Sequence, residues 1–284
     1  MASQIHWFPG HMNKALKEIG ERIKIVDVII EIFDARIPLS SINENLGEIT
    51  KNKKKLIVLA KNDLADPAIT EIWKEELNKQ FDKVLVLNLK EGSAQNAIAK
   101  AVSEIGKEKQ QKDIARGMKP QPIKAMIIGI PNVGKSSLIN RLSGRSAAGV
   151  QNKPGYTRGE QWIKVNKDFL LLDTPGILPM AYENKKKAIN LALVGSIKED
   201  ILPNTDLSVY LLEFLKLRYP NALKERFGVS EIKDYETTIK EICLNRSLIK
   251  NNSEPDIARA EVLLLKEFKD GKLGKISLEN PKWL

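Results

Sequence analysis

Apolar residues gather in short unbroken runs in the first two thirds of the chain and recur at helical spacing in the last third. KIVDVIIEIFDAR (24–36), KKLIVLAKND (54–63), DKVLVLNL (82–89) and IKAMIIGIP (123–131) are β-rich runs of the kind that form strands buried on both faces. Between the second and third, ADPAITEIWKEELNKQF (65–81) carries Trp73, Leu77 and Phe81 at helical spacing, with Pro67 suited to a first turn. Helices are predicted over 94–109 and 135–142, and QWIKVNKDFLLLDTPG (161–176) predicts a hairpin. The basic, breaker-rich stretch QQKDIARGMKPQP (110–122) reads as a connector. After about residue 180 the strand signals fade, and helical patterns occupy 183–202, 205–219, 230–246 and 253–271. The last has start signals at Ser253 and Asp256 and a stop at Gly271. Alternating strand and helix predicts an α/β domain with a mostly parallel sheet wrapped by helices over 1–179, followed by a smaller all-α domain over 180–284.

Composition narrows the class. A chain of 284 residues with 42% hydrophobic residues can bury a sizeable core, and none of its apolar runs has the length of a bilayer span. A soluble cytoplasmic protein, expected to be a monomer and to have no membrane partner, follows. The single Cys243 excludes an internal disulfide, and two histidines with one cysteine cannot build a structural zinc cage, so any metal is expected to have oxygen ligands. A formal charge of +10 fits a polyanionic partner such as nucleic acid, and equally fits a basic protein with solvated lysines.

The chemistry is carried by separated motifs. Gly129-Ile-Pro-Asn-Val-Gly-Lys-Ser matches the phosphate loop G-x-x-x-x-G-K-S/T between a predicted strand and a predicted helix. Backbone N–H groups from Asn132 and Val133 through Gly134, Lys135, Ser136 and Ser137 would cradle phosphates, with Lys135 reaching the β and γ oxygens and Ser136 holding Mg2+. Asp173-Thr-Pro-Gly176 ends a strand about forty residues on, where Asp173 would bind magnesium through water and the Gly176 amide would meet a γ-phosphate. Thr157 in KPGYTRG (153–159) offers a further magnesium hydroxyl.

These parts suit ATP as well as GTP, so base selection must come from elsewhere. AKND (60–63) resembles the guanine motif Asn-Lys-x-Asp: Asp63 would accept from guanine N1–H and its exocyclic amine, with Lys61 covering the ring and Asn62 between them. Adenine presents an acceptor where guanine presents a donor, so a carboxylate rejects it. Ala60 departs from the usual Asn. Ser93-Ala94 matches the short motif whose backbone amide meets guanine O6. Guanine motifs thus precede phosphate motifs, which is the order of a circularly permuted P-loop GTPase domain. The segment after Gly176 then leads straight into the C-terminal helices, so a change at the γ-phosphate can pass to them.

WFPGHM (7–12), DARIP (34–38), AKND, GIPNVGKSS, PGYTRG, DTPG and LALVGSIKEDIL (191–202) occur in an order that resembles the circularly permuted GTPases, and within them the bacterial ribosome biogenesis GTPase A family. The resemblance implies a GTP/GDP-binding enzyme that acts on the large ribosomal subunit late in assembly, with the helical domain on ribosomal RNA. Ile177 stands where many GTPases place a water-orienting glutamine. The resemblance assigns that role to His11, for which helix capping is the alternative. It also makes Asn132 a candidate K+ ligand, against a loop-stiffening hydrogen bond. Asp34 and Arg36 read as residues that position the early loop. The competing functions are action on the small subunit and a GTP-liganded RNA-binding protein with negligible hydrolysis.

Overall fold

The computed structural model describes residues 17, 19–143, 162–172, 185–197, 201–251 and 253–283. Its first half runs β1 (Val28–Asp34), α1 (Pro38–Ser41), α2 (Glu44–Thr50), β2 (Lys54–Ala60), α3 (Pro67–Asn78), β3 (Lys83–Leu87), α4 (Ser93–Ala115), β4 (Ile123–Gly129), α5 (Lys135–Ser143), β5 (Trp162–Asn166) and β6 (Phe169–Leu172). The six strands form one sheet in the order β3-β2-β1-β4-β6-β5, parallel except for the antiparallel β5–β6 hairpin at one edge. The expected α/β architecture is therefore present. The base-motif strand β2 and the phosphate-loop strand β4 flank β1, so both loops emerge at the same end of the sheet.

Alternation along each strand divides the core. Val28, Ile30 and Ile32 of β1 pack with Leu56, Val58, Ala125 and Ile127 against Ala94, Ile98 and Val102 of α4 and Leu138 and Leu142 of α5. On the opposite face Ile29 joins Met126, Ile128 and Leu46, while Phe33, Ile57 and Leu59 meet Ile69, Trp73 and Leu77 of α3. Helices on both faces explain why the strands read as continuous apolar runs. Glu31 and the terminal Asp34 are the charged residues within β1, and Glu31 lies in mid-strand. It is 5% exposed, and burial pushes its carboxyl up to about 7 against the opposing pull of Lys55.

The last third is helical, with α6 (Lys185–Leu193), α7 (Asn204–Arg218), α8 (Lys224–Phe227), α9 (Tyr235–Asn245) and α10 (Ile257–Lys269). Its apolar residues, among them Leu191, Leu211, Ile242 and Leu264, belong to the same buried cluster as the α4–α5 face of the sheet. Several predicted boundaries move. The connector proves half helical, because α4 runs on to Ala115. Lys112 pairs with Glu108 one turn back at 2.7 Å and Lys109 reaches Asp27 at 3.3 Å, so a polar stretch gains helical support that its composition conceals. The helix predicted over 183–202 ends at Leu193 instead. Gly195 takes φ 77°, letting its own N–H donate to Ala192 and that of Ser196 to Leu191, which closes the helix. At the start of α10 the capping side chain is Asp256, which accepts from Arg259 N–H, while Ser253 lies outside the helix. Asp66 caps α3 by accepting from Ala68 and Ile69, with Pro67 in the first turn as expected.

Beyond α10 the chain turns back across the sheet's loop end. Ile276 N–H donates to Leu64 O, Leu278 N–H to Arg36 O, and the Trp73 indole to Glu279 O. The Glu279 carboxylate accepts from the Leu39 and Ser40 backbone N–H groups at the start of α1, from the Ser40 hydroxyl, and from the Asn190 amide of α6. Burial raises its pKa, opposed by these hydrogen bonds. No pattern in the tail announces this role, since its donors lie far away in the sequence.

Candidate nucleotide-binding site

At the end of β4 the chain runs close beside β1, with Gly129 paired to Ile32. A Cβ at Gly129, where φ is 151°, would lie 2.7 Å from the Ile32 carbonyl oxygen, so only glycine fits. Val133 is buried as an anchor, while Asn132, Ser136 and Ser137 are exposed at the mouth of the loop and the first turn of α5. Leu89, after β3, approaches within 3.1 Å of the position of a Gly134 Cβ, and Arg141 of α5 donates to the Lys90 carbonyl. The loop after β3 thus packs against the phosphate loop.

Lys135 is 7% exposed and donates to the carbonyls of Gly129 at 3.0 Å and Ile130 at 2.5 Å. Carbonyl dipoles do not replace a counter-charge, and burial pulls the ammonium down to about 8. The site therefore holds a buried cation at the N-terminus of α5, a donor set that fits a phosphate. An anion there favours the charged lysine. Nucleotide affinity is accordingly expected to be full below about pH 8 and to weaken by up to about tenfold per pH unit above it. Titrations from about pH 7 to about pH 9.5 check this, and a flat profile would separate Lys135 from the phosphates.

The base motif occupies the end of β2. Ala60 is fully buried within the main apolar cluster. Lys61 holds a left-handed φ of 57°, and its ammonium lies 3.1 Å from Asp34 Oδ2. Asp63 has 32% of its side chain exposed, 3.8 Å from the Lys90 ammonium, and so keeps acceptor capacity toward a ligand. Asn62 Oδ1 is buried with no partner among the described residues, a second free acceptor near Asp63. Ser93 and Ala94 open α4, and the Ala94 N–H is engaged by the Glu91 carbonyl at 3.3 Å, a long bond. Thus Lys61, Asn62, Asp63, Ser93, Ala94 and the loop 129–137 all lie at the loop end of one sheet. His11, Thr157, Asp173 and Gly176 lie outside the described residues.

Two side chains carry more than the sequence suggested. Asn132 has φ 56°, and its amide nitrogen donates to the Gly195 carbonyl at 2.8 Å, tying the phosphate loop to the end of α6. Asp34 is fully buried and accepts from Arg36 through both the backbone and the guanidinium. Burial alone would raise its carboxyl, but Arg36 and then Lys61 outweigh burial and hold it at about 2. Among the described residues no cluster of His, Cys, Asp or Glu could hold a metal ion, and no helix is long and apolar enough to cross a membrane.

A family model described as a 50S ribosome-binding GTPase matches residues 124–250. Ribosome biogenesis GTPase A from Bacillus cereus is 42% identical over 279 residues, 98% of this chain and 94% of the relative. The protein of that name from Thermotoga maritima is 29% identical, over 97% of this chain and 94% of the relative. GNP-bound YlqF from T. maritima superposes with a TM-score of 0.69 at 26% identity, over 95% of this chain and 99% of that one. A GDP-bound structure of the YlqF protein gives 0.68, also at 26% identity, over 93% and 99%.

Proposed function

The chain belongs to the ribosome biogenesis GTPase A family, and from that membership we propose that it hydrolyses GTP as an assembly factor, binding the large ribosomal subunit late in its maturation and leaving it on hydrolysis. The observation that carries the reading is the convergence of Lys135 and the Lys61–Asp63 segment at one end of the sheet, with Asn132 bonded to the helical region. That arrangement supports GTP recognition coupled to the C-terminal helices. In this reading residues 1–179 form the permuted GTPase domain and 180–284 the helical domain that meets ribosomal RNA, consistent with the charge of +10. The protein acts as a cytoplasmic monomer.

Magnesium is the usual ion of such GTPases; Ser136, Thr157 and Asp173 would hold it, and it would neutralise charge on the β and γ oxygens. The loop amides and Lys135 orient the phosphates, the Gly176 amide senses the γ-phosphate, and His11 positions the attacking water. The described contact of Asn132 uses the donor end of its amide, whereas potassium would need the oxygen end. That bond leaves the Asn132 oxygen uncommitted among the described residues, so it bears on loop bracing and not on potassium.

The test is co-sedimentation of the protein with separated ribosomal subunits in the presence of GDP, a non-hydrolysable GTP analogue or no nucleotide. Retention on the large subunit with the GTP analogue alone is expected. Equal retention in all three conditions would favour a passive RNA-binding protein, and retention on the small subunit would favour the other assembly role. In the same assay His11→Ala is expected to slow subunit-stimulated hydrolysis by at least about tenfold while leaving GTP affinity unchanged. Normal hydrolysis in that variant would return His11 to helix capping.

A further inference from the structure

Lys61 is the cation between Ala60 and Asp63, and a lysine stem loses less freedom in covering a ring when its end is already held. Ala60 supplies no side-chain hydrogen bond to do so. Asp34 stands directly across the parallel ladder from Ala60, and Ala35 N–H donates to the Ala60 carbonyl. From that position the Asp34 carboxylate reaches the Lys61 ammonium at 3.1 Å. The carboxylate is itself immobilised: Oδ1 accepts from the Arg36 backbone N–H and Nε, Oδ2 accepts from the guanidinium, and the Asp34 N–H donates to Ser41 Oγ. Arg36 is anchored in turn by donating to the Lys269 carbonyl at the end of α10.

We propose that Asp34 is a positioning residue for guanine recognition, holding the Lys61 ammonium so that the lysine methylenes lie along the base while Asp63 meets its edge. The proposal rests on AKND being the base pocket. An ammonium held at its tip by a fixed carboxylate leaves its four methylenes one restricted path, which lowers the entropy lost when the ring binds. Arg36 then supports the pocket from α10, so part of the base site is founded on the helical region.

The test compares Lys61→Met and Lys61→Arg in the full chain, using GDP, ADP and inorganic pyrophosphate as probes. Met keeps an unbranched stem but cannot pair with Asp34, whereas Arg can. Lys61→Met is expected to weaken GDP by at least about tenfold with pyrophosphate within about twofold, and Lys61→Arg to recover most of the loss. Asp34→Asn should weaken GDP to the same degree, and the Asp34→Asn/Lys61→Met double variant should be no weaker than Lys61→Met alone. Additive losses would overturn the proposal, as would wild-type GDP affinity in Lys61→Met. Because Asp34→Asn also disturbs Arg36 and can compromise folding, a structure of the wild-type GDP complex gives an independent decision. Lys61 should remain paired with Asp34 while covering the ring, and an ammonium turned away would overturn the assignment. If the wild type instead binds ADP as tightly as GDP, it is the base-pocket reading that fails.

Discussion

Arg36→Met is expected to destabilise the folded chain by about 3–5 kcal/mol, the scale for removing one partner from a buried ion pair. Arg36 is 1% exposed, and its guanidinium satisfies both oxygens of a carboxylate that has no exposure at all. Methionine fills much of the volume but leaves Asp34 with Lys61 as its remaining cation and removes the donor to Lys269 O. Against a typical net stability of about 5–15 kcal/mol, this is a large fraction. The pH dependence should reverse as well. In the wild type, Asp34 is held at about 2 against an ordinary 3.8, so its contribution is present above 3.8 and is lost as pH falls toward 2. Without Arg36, burial becomes the dominant influence and raises the carboxyl. Its protonated form then favours folding, so the deficit should be smallest in acid and grow as pH rises through the raised value. Urea unfolding at neutral pH and near pH 4.5 checks both statements. An unchanged midpoint would mean that Lys61 alone compensates the buried carboxylate.

The second large effect is on binding. Lys135→Met should lower GTP and GDP affinity by at least about a hundredfold, because a charge-assisted contact in a low-dielectric site is replaced by an apolar end. The same change removes a buried cation whose hydrogen-bond partners among the described residues are two carbonyls. The unliganded variant is therefore expected to be at least as stable as the wild type. Nucleotide titration together with thermal unfolding separates these outcomes. Lost binding with retained or raised stability identifies a ligand-directed charge, while joint loss would make Lys135 a structural residue.

The parallel-sheet strands were legible because burial on both faces leaves continuous apolar runs, and the phosphate loop because its glycines, lysine and serine are contiguous. Helix lengths were less legible. The polar end of α4 is held by Lys112–Glu108 and Lys109–Asp27, one pair local and the other distant in sequence, so composition alone read it as a connector. Leu191 to Ile201 keeps a helical look, yet Gly195 ends α6, because a left-handed residue closes a helix whatever the apolar spacing beyond it. Four candidate residues, His11, Thr157, Asp173 and Gly176, remain known from the sequence alone.

What the sequence by itself determined about this protein is the set of motifs whose parts are neighbours in the chain: a G-x-x-x-x-G-K-S loop between strand and helix, AKND at a strand end, and the permuted order of the two. Backbone geometry makes such sites local, so a short motif is sufficient. Only the tertiary structure decided how those parts are braced. Asp34 meets Lys61 because β1 and β2 run parallel with Asp34 opposite Ala60. Asn132 meets Gly195 across 63 positions, and Glu279 meets Leu39 across 240. Neither pairing has a sequence period to reveal it, because each exists only where the packing of sheet, helices and tail brings a donor from one segment against an acceptor from a distant one.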